Sequence, residues 1–412
     1  MPSPRRLVRV VALISIVTVA SACLSPENPP LATTPTTHTA EAQEVTRIVE
    51  DTMRAEHLQS AIVKVTVDGK EVLTDAFGES MSGVPATADM HFRNGAVAIS
   101  YVSTLLLILA EEGTVGLDDT LSTWLPDIPH ADEVTLRQLA QTTSGYHDYV
   151  IGNDAFEKQL YADQFRQWTP EELVAFATDK PLQYQPGTNW SYAHTNYVLL
   201  GLALEKATGE QMPELLSDKV LGPLGLFETD NSFTPEIPAP ALHAYTSERR
   251  AALGIPDGTP FYEDSTYWNP SWTITHGAIQ TTTIADLATS AAGIGSGKLL
   301  SEKSFEEFST GLSGKTKALP GCVTCAPLGD VYDYGLGVVL SGDWLLQNPM
   351  FFGYAALQAY LPSRRIAIAV AVTFSPEAFD GDGNYTNAAD TLFRRIGAEL
   401  APDDAPPLPP RR

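Results

Sequence analysis

Four places in this chain hold residues whose types and spacing could do chemistry. Tyr192-Ala193-His194 sets a phenol and an imidazole two residues apart at the entrance to an apolar helical run. The phenol can donate a hydrogen bond or shuttle a proton, and the imidazole can act as a base near neutral pH. Tyr192 reads equally well as an aromatic packed at a helix start. Ser144, in Thr143-Ser144-Gly145-Tyr146-His147-Asp148, has an imidazole and a carboxylate close in sequence. Neighbours along a chain rarely form a triad, and Ser-Gly is a turn signal in any case. Cys322 and Cys325 are three apart; in an exported chain that spacing is most simply a local disulfide pinning a loop. A zinc site there would need two further ligands, and residues 300–350 contain no His. No metal or cofactor is implied. Cys23 follows an apolar run and small residues, where a lipid could be attached.

The elements that must position these groups are organised around Phe92–Gly113. From Val97 to Ala110 this stretch is almost wholly apolar, too short to span a bilayer, and reads as a helix buried on every side. Glu111 and Glu112 return it to water, and Gly113 suits a left-handed cap. Its N-terminus points unpaired backbone N–H groups outward. Before it, Val45, Ile48, Val49 and Met53 fall at helical spacing. Two strands follow, Ser60–Val67 and Glu71–Phe77, joined by the turn Asp68-Gly69. After it the chain reads as mainly helical to about residue 265. Helices start at Thr169-Pro170-Glu171-Glu172 and at Thr283, and a third runs Asn196–Thr208 to Gly209. Strands return at Tyr334–Ser341 and in the pair Leu357–Leu361 and Ile366–Phe374, and a helix Ala388–Leu400 closes the domain. The expected fold is α+β: an antiparallel sheet formed from both ends of the chain, flanked by helices, with an inserted mainly helical lobe. The sheet lobe comprises about 41–95 and 266–400, and the helical lobe about 96–265.

Phe92-Arg93-Asn94-Gly95-Ala96-Val97-Ala98-Ile99 resembles the F-R-x-G-S-x-x-K opening of the central helix in the serine β-lactamase / D-alanyl-D-alanine carboxypeptidase / esterase superfamily. Supporting phrases are Val134–Leu139 running to Thr143-Ser144-Gly145, Gln185–Tyr192, Tyr197–Gly201 and Pro223–Leu226. The resemblance covers about residues 45–400. It implies the penicillin-recognising fold and a cleft at the start of the central helix. In that family the Ser is an acylated nucleophile and the Lys one turn along helps activate it. Here Ala96 stands for the Ser and Ile99 for the Lys, and no Lys occurs between Lys70 and Lys158. The second motif, Tyr-x-Asn, becomes Tyr192-Ala193-His194. The third, Lys- or His-x-Gly, falls at Gln347-Asn348-Pro349, with Gly353 matching a later Gly; Asp343–Pro362 contains no Lys or His. The resemblance therefore implies the family's cleft without its acylation chemistry, holding a wall-derived or protein ligand. The alternative is an active hydrolase of carboxypeptidase, β-lactamase or esterase type using relocated residues.

The net charge of −24 argues against nucleic acid or anionic lipid as a partner. Residues 1–22 carry Arg5, Arg6 and Arg9, then the apolar run Leu13–Ala20, and read as a secretory signal. Ala20-Ser21-Ala22-Cys23 resembles a bacterial lipobox, which implies a lipid on Cys23 and attachment to the outer face of the cell membrane; simple cleavage after Ala22 is the other outcome. Residues 23–40 are Pro- and Thr-rich and read as a tether, and 401–412 as a flexible tail.

Overall fold

The computed structural model describes residues 39–231, 234–256, 258–274 and 279–409. The signal, Cys23 and nearly all of the tether lie outside the described residues. The first helix, Ala40–Ala55, is capped by Thr39, whose hydroxyl accepts from the Ala42 N–H at 3.2 Å. It buries Val45, Ile48 and Val49 as their spacing requires.

A nine-stranded antiparallel sheet forms the frame. Its order is Val84–Pro85, Lys70–Met81, Leu58–Val67, Ile366–Phe374, Tyr354–Leu361, Trp344–Gln347, Val339–Ser341 and Asp333–Tyr334; Met350–Phe351 also pairs with Tyr354–Leu361. The two ends of the chain meet where Leu58–Val67 lies against Ile366–Phe374, with Val63 opposite Val370 and Val67 opposite Ile366. The strand Ile366–Phe374 is buried throughout. Its large residues Ile366, Ile368, Val370 and Val372 face the first helix and the last, Ala388–Leu400. Ala369 and Ala371, with Ala356 of the next strand, face the helix Ile284–Gly295 on the other side. Alternation of large and small side chains thus sets which helix lies closer to the sheet.

The central helix, Ala98–Glu111, follows a 3₁₀ turn at Gly95–Val97, and every residue from Ala98 to Leu107 is buried. Most of its polar side chains are matched internally: Ser100 Oγ donates to the Val97 carbonyl at 2.7 Å, Tyr101 OH to Ser290 Oγ at 2.7 Å, and Ser103 Oγ lies 2.8 Å from Tyr197 OH. The helix Pro170–Ala175 has the expected capping box between Thr169 and Glu172.

Three expectations are corrected. Tyr334–Ser341 is not one strand but a hairpin, Asp333–Tyr334 with Val339–Ser341. Gly337 turns it at φ 79°, and a Cβ there would meet Ser103 Oγ at 2.0 Å. Only glycine lets this turn rest on the central helix. The tail is not loose up to Pro407: Ala401 is buried, Trp344 Nε1 donates to the Asp404 carbonyl at 2.8 Å, and Arg394 donates to the Pro407 carbonyl. A buried indole N–H and guanidinium need acceptors, and the tail supplies them. Finally, the helix expected from Asn196 begins at His194.

Candidate functional site

The start of the central helix, the start of the helix His194–Thr208 and the hairpin edge Gln347–Phe351 enclose a cavity of about 360 Å³. Ala96, Tyr192, His194, Gln347, Asn348 and Pro349 all line it, so six positions chosen from sequence converge. Trp272, Ile274, Val150, Ile151, Tyr332, Tyr334, Met350 and Phe351 supply most of the remaining wall. Sequence reasoning did not find Trp272, Ile274 or Tyr332, because they come from loops with no periodic pattern. Among the described residues lining the cavity there is no Lys, Arg, Asp or Glu.

His194 is the first residue of its helix, and Asp148 holds it twice. The Asp148 carboxylate accepts from the His194 backbone N–H at 3.1 Å and lies 3.0 Å from ring Nδ1. Its side chain is only 1 % exposed, while that of His194 is 13 % exposed. The helix has no capping side chain of its own, so this carboxylate caps it from another segment. Nδ1 paired with a carboxylate carries the proton, which leaves Nε2 as the nitrogen without a hydrogen-bond partner among the described residues. The rings of Tyr192, Tyr149 and Trp272 stand 5.1, 5.9 and 6.1 Å from the imidazole. The result is an oriented His–Asp dyad in an aromatic enclosure at a cavity wall. Sequence reasoning met Asp148 only as a neighbour of Ser144, and no local pattern marked it as the partner of His194.

Among the described residues lining the cavity there is no serine or cysteine beside the dyad. Ala96 presents a methyl group at the helix start. Ile99 is 1 % exposed, belongs to the central core and does not line the cavity. The Ser144 alternative is not assembled: Ser144 is fully buried, donates to Asn196 Oδ1 and accepts from the Tyr146 N–H at 3.1 Å. His147 Nε2 instead donates to the Pro181 carbonyl at 3.1 Å, and Asp148 is committed to His194. Burial holds the His147 ring below the usual imidazole range. Burial, with the Asp148 charge, pushes the Tyr192 phenol well above its ordinary range. Tyr192 therefore stays a neutral phenol at pH 7, able to donate a hydrogen bond but not to serve as a phenolate base.

The opposite wall is apolar by construction. Gln347 is buried, and its Nε2 donates to the Gly337 carbonyl at 2.8 Å, so its amide serves the neighbouring hairpin. Asn348 Nδ2 donates to Asp390 at 3.2 Å. Pro349 has no N–H to offer a ligand. Phe351 and Pro349 close on Gly95, where a Cβ would meet them at 2.7 and 2.9 Å. Gly353 is not in the cavity; at φ 78° it packs on the Tyr245 backbone, where a Cβ would lie 2.1 Å from the carbonyl oxygen. Cys322 and Cys325 are joined as a disulfide. Their loop pairs with Ser191 through Cys325, and Ser191 Oγ lies 2.6 Å from Thr324 Oγ1, so the loop braces the segment leading to Tyr192.

Residues 45–393 match the family model described as Beta-lactamase. The chain belongs to the beta-lactamase family. Among curated relatives it is 27 % identical over 226 residues to the putative penicillin-binding protein PbpX of Bacillus subtilis (strain 168), a match covering 55 % of this chain and 51 % of that protein. It is 30 % identical over 186 residues to penicillin-binding protein 4 of Amycolatopsis lactamdurans, covering 43 % and 46 %. The matches thus span about half the length of these relatives. Among solved structures, a D-stereospecific amidohydrolase from Streptomyces sp. superposes with a TM-score of 0.70 at 24 % identity, over 89 % of this chain and 99 % of that one. The D-amino acid amidase from Ochrobactrum anthropi SV3, complexed with D-phenylalanine, gives 0.72 at 21 % identity, over 88 % and 99 %. These likenesses bear on the fold alone, and they agree with the α+β architecture above. Within this family member, Ala96, Tyr192, His194 and Gln347–Pro349 line one cavity, His194 pairs with Asp148, and Ala96 and Ile99 carry alkyl side chains.

Proposed function

We propose that this beta-lactamase-family chain binds a ligand in the cleft without being acylated by it. The observation that carries the reading is the cavity beside Ala96, whose described walls hold neither a serine or cysteine next to the His194–Asp148 dyad nor a Lys or Arg. Acylation needs an attacking oxygen, and recognition of a substrate carboxylate needs a positive edge. Aromatic walls around one imidazole Nε2 suit an uncharged, apolar group bearing a single hydrogen-bond donor. A wall-derived peptide or a protein segment that presents such a group fits this chemistry. The chain is further proposed to be exported and anchored at the outer face of the cell membrane through lipid on Cys23, on the strength of residues 1–23. Cys23→Ser should then release it from the membrane fraction; wild type found unacylated in the medium would refute the anchor.

The test of the cleft is labelling with a fluorescent penicillin alongside turnover of a chromogenic cephalosporin and a short-chain ester. Neither labelling nor turnover is expected. The dyad itself favours a second reading, in which His194 draws a proton from water and the chain hydrolyses a substrate directly. Ester turnover abolished by His194→Ala would establish that reading over the first.

A further inference from the structure

Away from the cleft, a second cavity of about 360 Å³ lies between the segment Ser247–Tyr262 and the turn at Phe379–Asp380. Phe261, Tyr262 and Phe379 give it apolar walls, and Arg250 gives it a charge. Arg250 is only 8 % exposed. Among the described residues it makes one hydrogen bond, from Nη2 to the Pro256 carbonyl at 2.8 Å, and its Nε is buried with no partner. The adjacent Arg249 shows what a satisfied guanidinium looks like in the same segment. It makes a two-pronged pair with Glu263 at 2.8 and 3.0 Å and donates further to Tyr161 and Gln164. Among the described residues no carboxylate does this for Arg250. Asp380 reaches the same cavity, but its oxygens are taken by the N–H groups of Asp382 and Asn384 and by the Asn384 side chain. Ser247 Oγ is spent on the Phe261 carbonyl at 2.6 Å.

A buried cation without a counter-charge is costly, and a guanidinium fork is shaped for a carboxylate. We propose that this cavity is a binding site for a small organic carboxylate with an apolar or aromatic body. The acid group would pair with the Arg250 guanidinium, and the body would lie against Phe261, Tyr262 and Phe379. The site is separate from the cleft and does not depend on what the cleft does.

The test is calorimetric titration of the full chain with N-acetyl-phenylalanine, its amide, and inorganic phosphate. The acid should bind with a Kd below about 1 mM, and the amide and phosphate at least about tenfold more weakly. Arg250→Gln should weaken the acid by about tenfold or more, Arg250→Lys by less, and His194→Ala not at all. Equal binding of acid and amide would overturn the proposal, as would no acid binding at about 10 mM. Phosphate binding as tight as the acid would remove the apolar body from it. Loss with His194→Ala alone would place the acid in the cleft instead. Should Arg250→Gln fail to fold, the acid–amide comparison on wild type and the Lys variant still decide the outcome.

Discussion

Restoring the first motif tests how far the departure from the family has gone. Ala96→Ser adds a hydroxyl at the cavity wall and should cost less than about 1 kcal/mol, as surface-facing changes usually do. Ile99→Lys is another matter. Ile99 is 1 % exposed within the apolar core. The change forfeits the burial of the Ile side chain, about 2–3 kcal/mol. It also buries an amine that must stay neutral or remain unpaired, at about 2–3 kcal/mol more. The double variant should lose about 4–6 kcal/mol, lowering Tm by about 8 °C or more at roughly 2 °C per kcal/mol. Thermal unfolding by circular dichroism measures this, and fluorescent-penicillin labelling measures acylation. Negligible labelling is expected, because the wall at Met350 and Phe351 offers a carboxylate no cation. A double variant with wild-type Tm and rapid acylation would refute the reasoning and show that only the first motif had changed.

Two further outcomes follow from the structure. Burial raises the Glu248 carboxyl to about 7 from its ordinary 4.5, only partly offset by a hydrogen bond from Thr246 at 2.9 Å. The native state therefore holds this proton more tightly than the unfolded chain, and its stabilising contribution, complete below about pH 4.5, is lost as pH rises through about 7. Glu248→Gln should remove up to about 3 kcal/mol of that pH dependence in denaturant titrations at pH 5 and pH 8, and an unchanged slope would contradict it. Replacing Cys322 and Cys325 by Ser should cost about 2 kcal/mol through the opened loop. Because that loop braces Ser191, it should also loosen the Tyr192–His194 wall, visible as faster amide hydrogen exchange there. Unaltered exchange would separate the disulfide from the site.

The frame was legible because its signals are local and periodic. The apolar run after Gly95, the stripe at Val45, Ile48 and Val49, the Asp68-Gly69 turn and the Thr169 capping box each give their element directly. What sequence misjudged depends on contacts between distant segments. The Tyr334–Ser341 hairpin turns at Gly337 because Ser103 and Tyr197 lie beneath it, which no local pattern announces. The tail is polar and Pro-rich, yet Trp344 and Arg394 need its carbonyls. The positions taken from the family motifs at Ala96, Tyr192, His194 and Gln347–Pro349 line one cavity. Ile99 and Gly353, taken from the same motifs, do not line it: one belongs to the core and the other to a backbone contact with Tyr245. The Asp148–His194 pairing spans 46 residues and arises only when the helix begins at His194.

Intact-protein mass spectrometry after prolonged incubation with benzylpenicillin tests the central claim most directly. Among the described residues lining the cleft beside Ala96 there is an oriented imidazole but no serine or cysteine to acylate, so the mass should remain that of the unmodified chain. A stoichiometric adduct mapping to a residue of the cleft, and lost with His194→Ala, would contradict it.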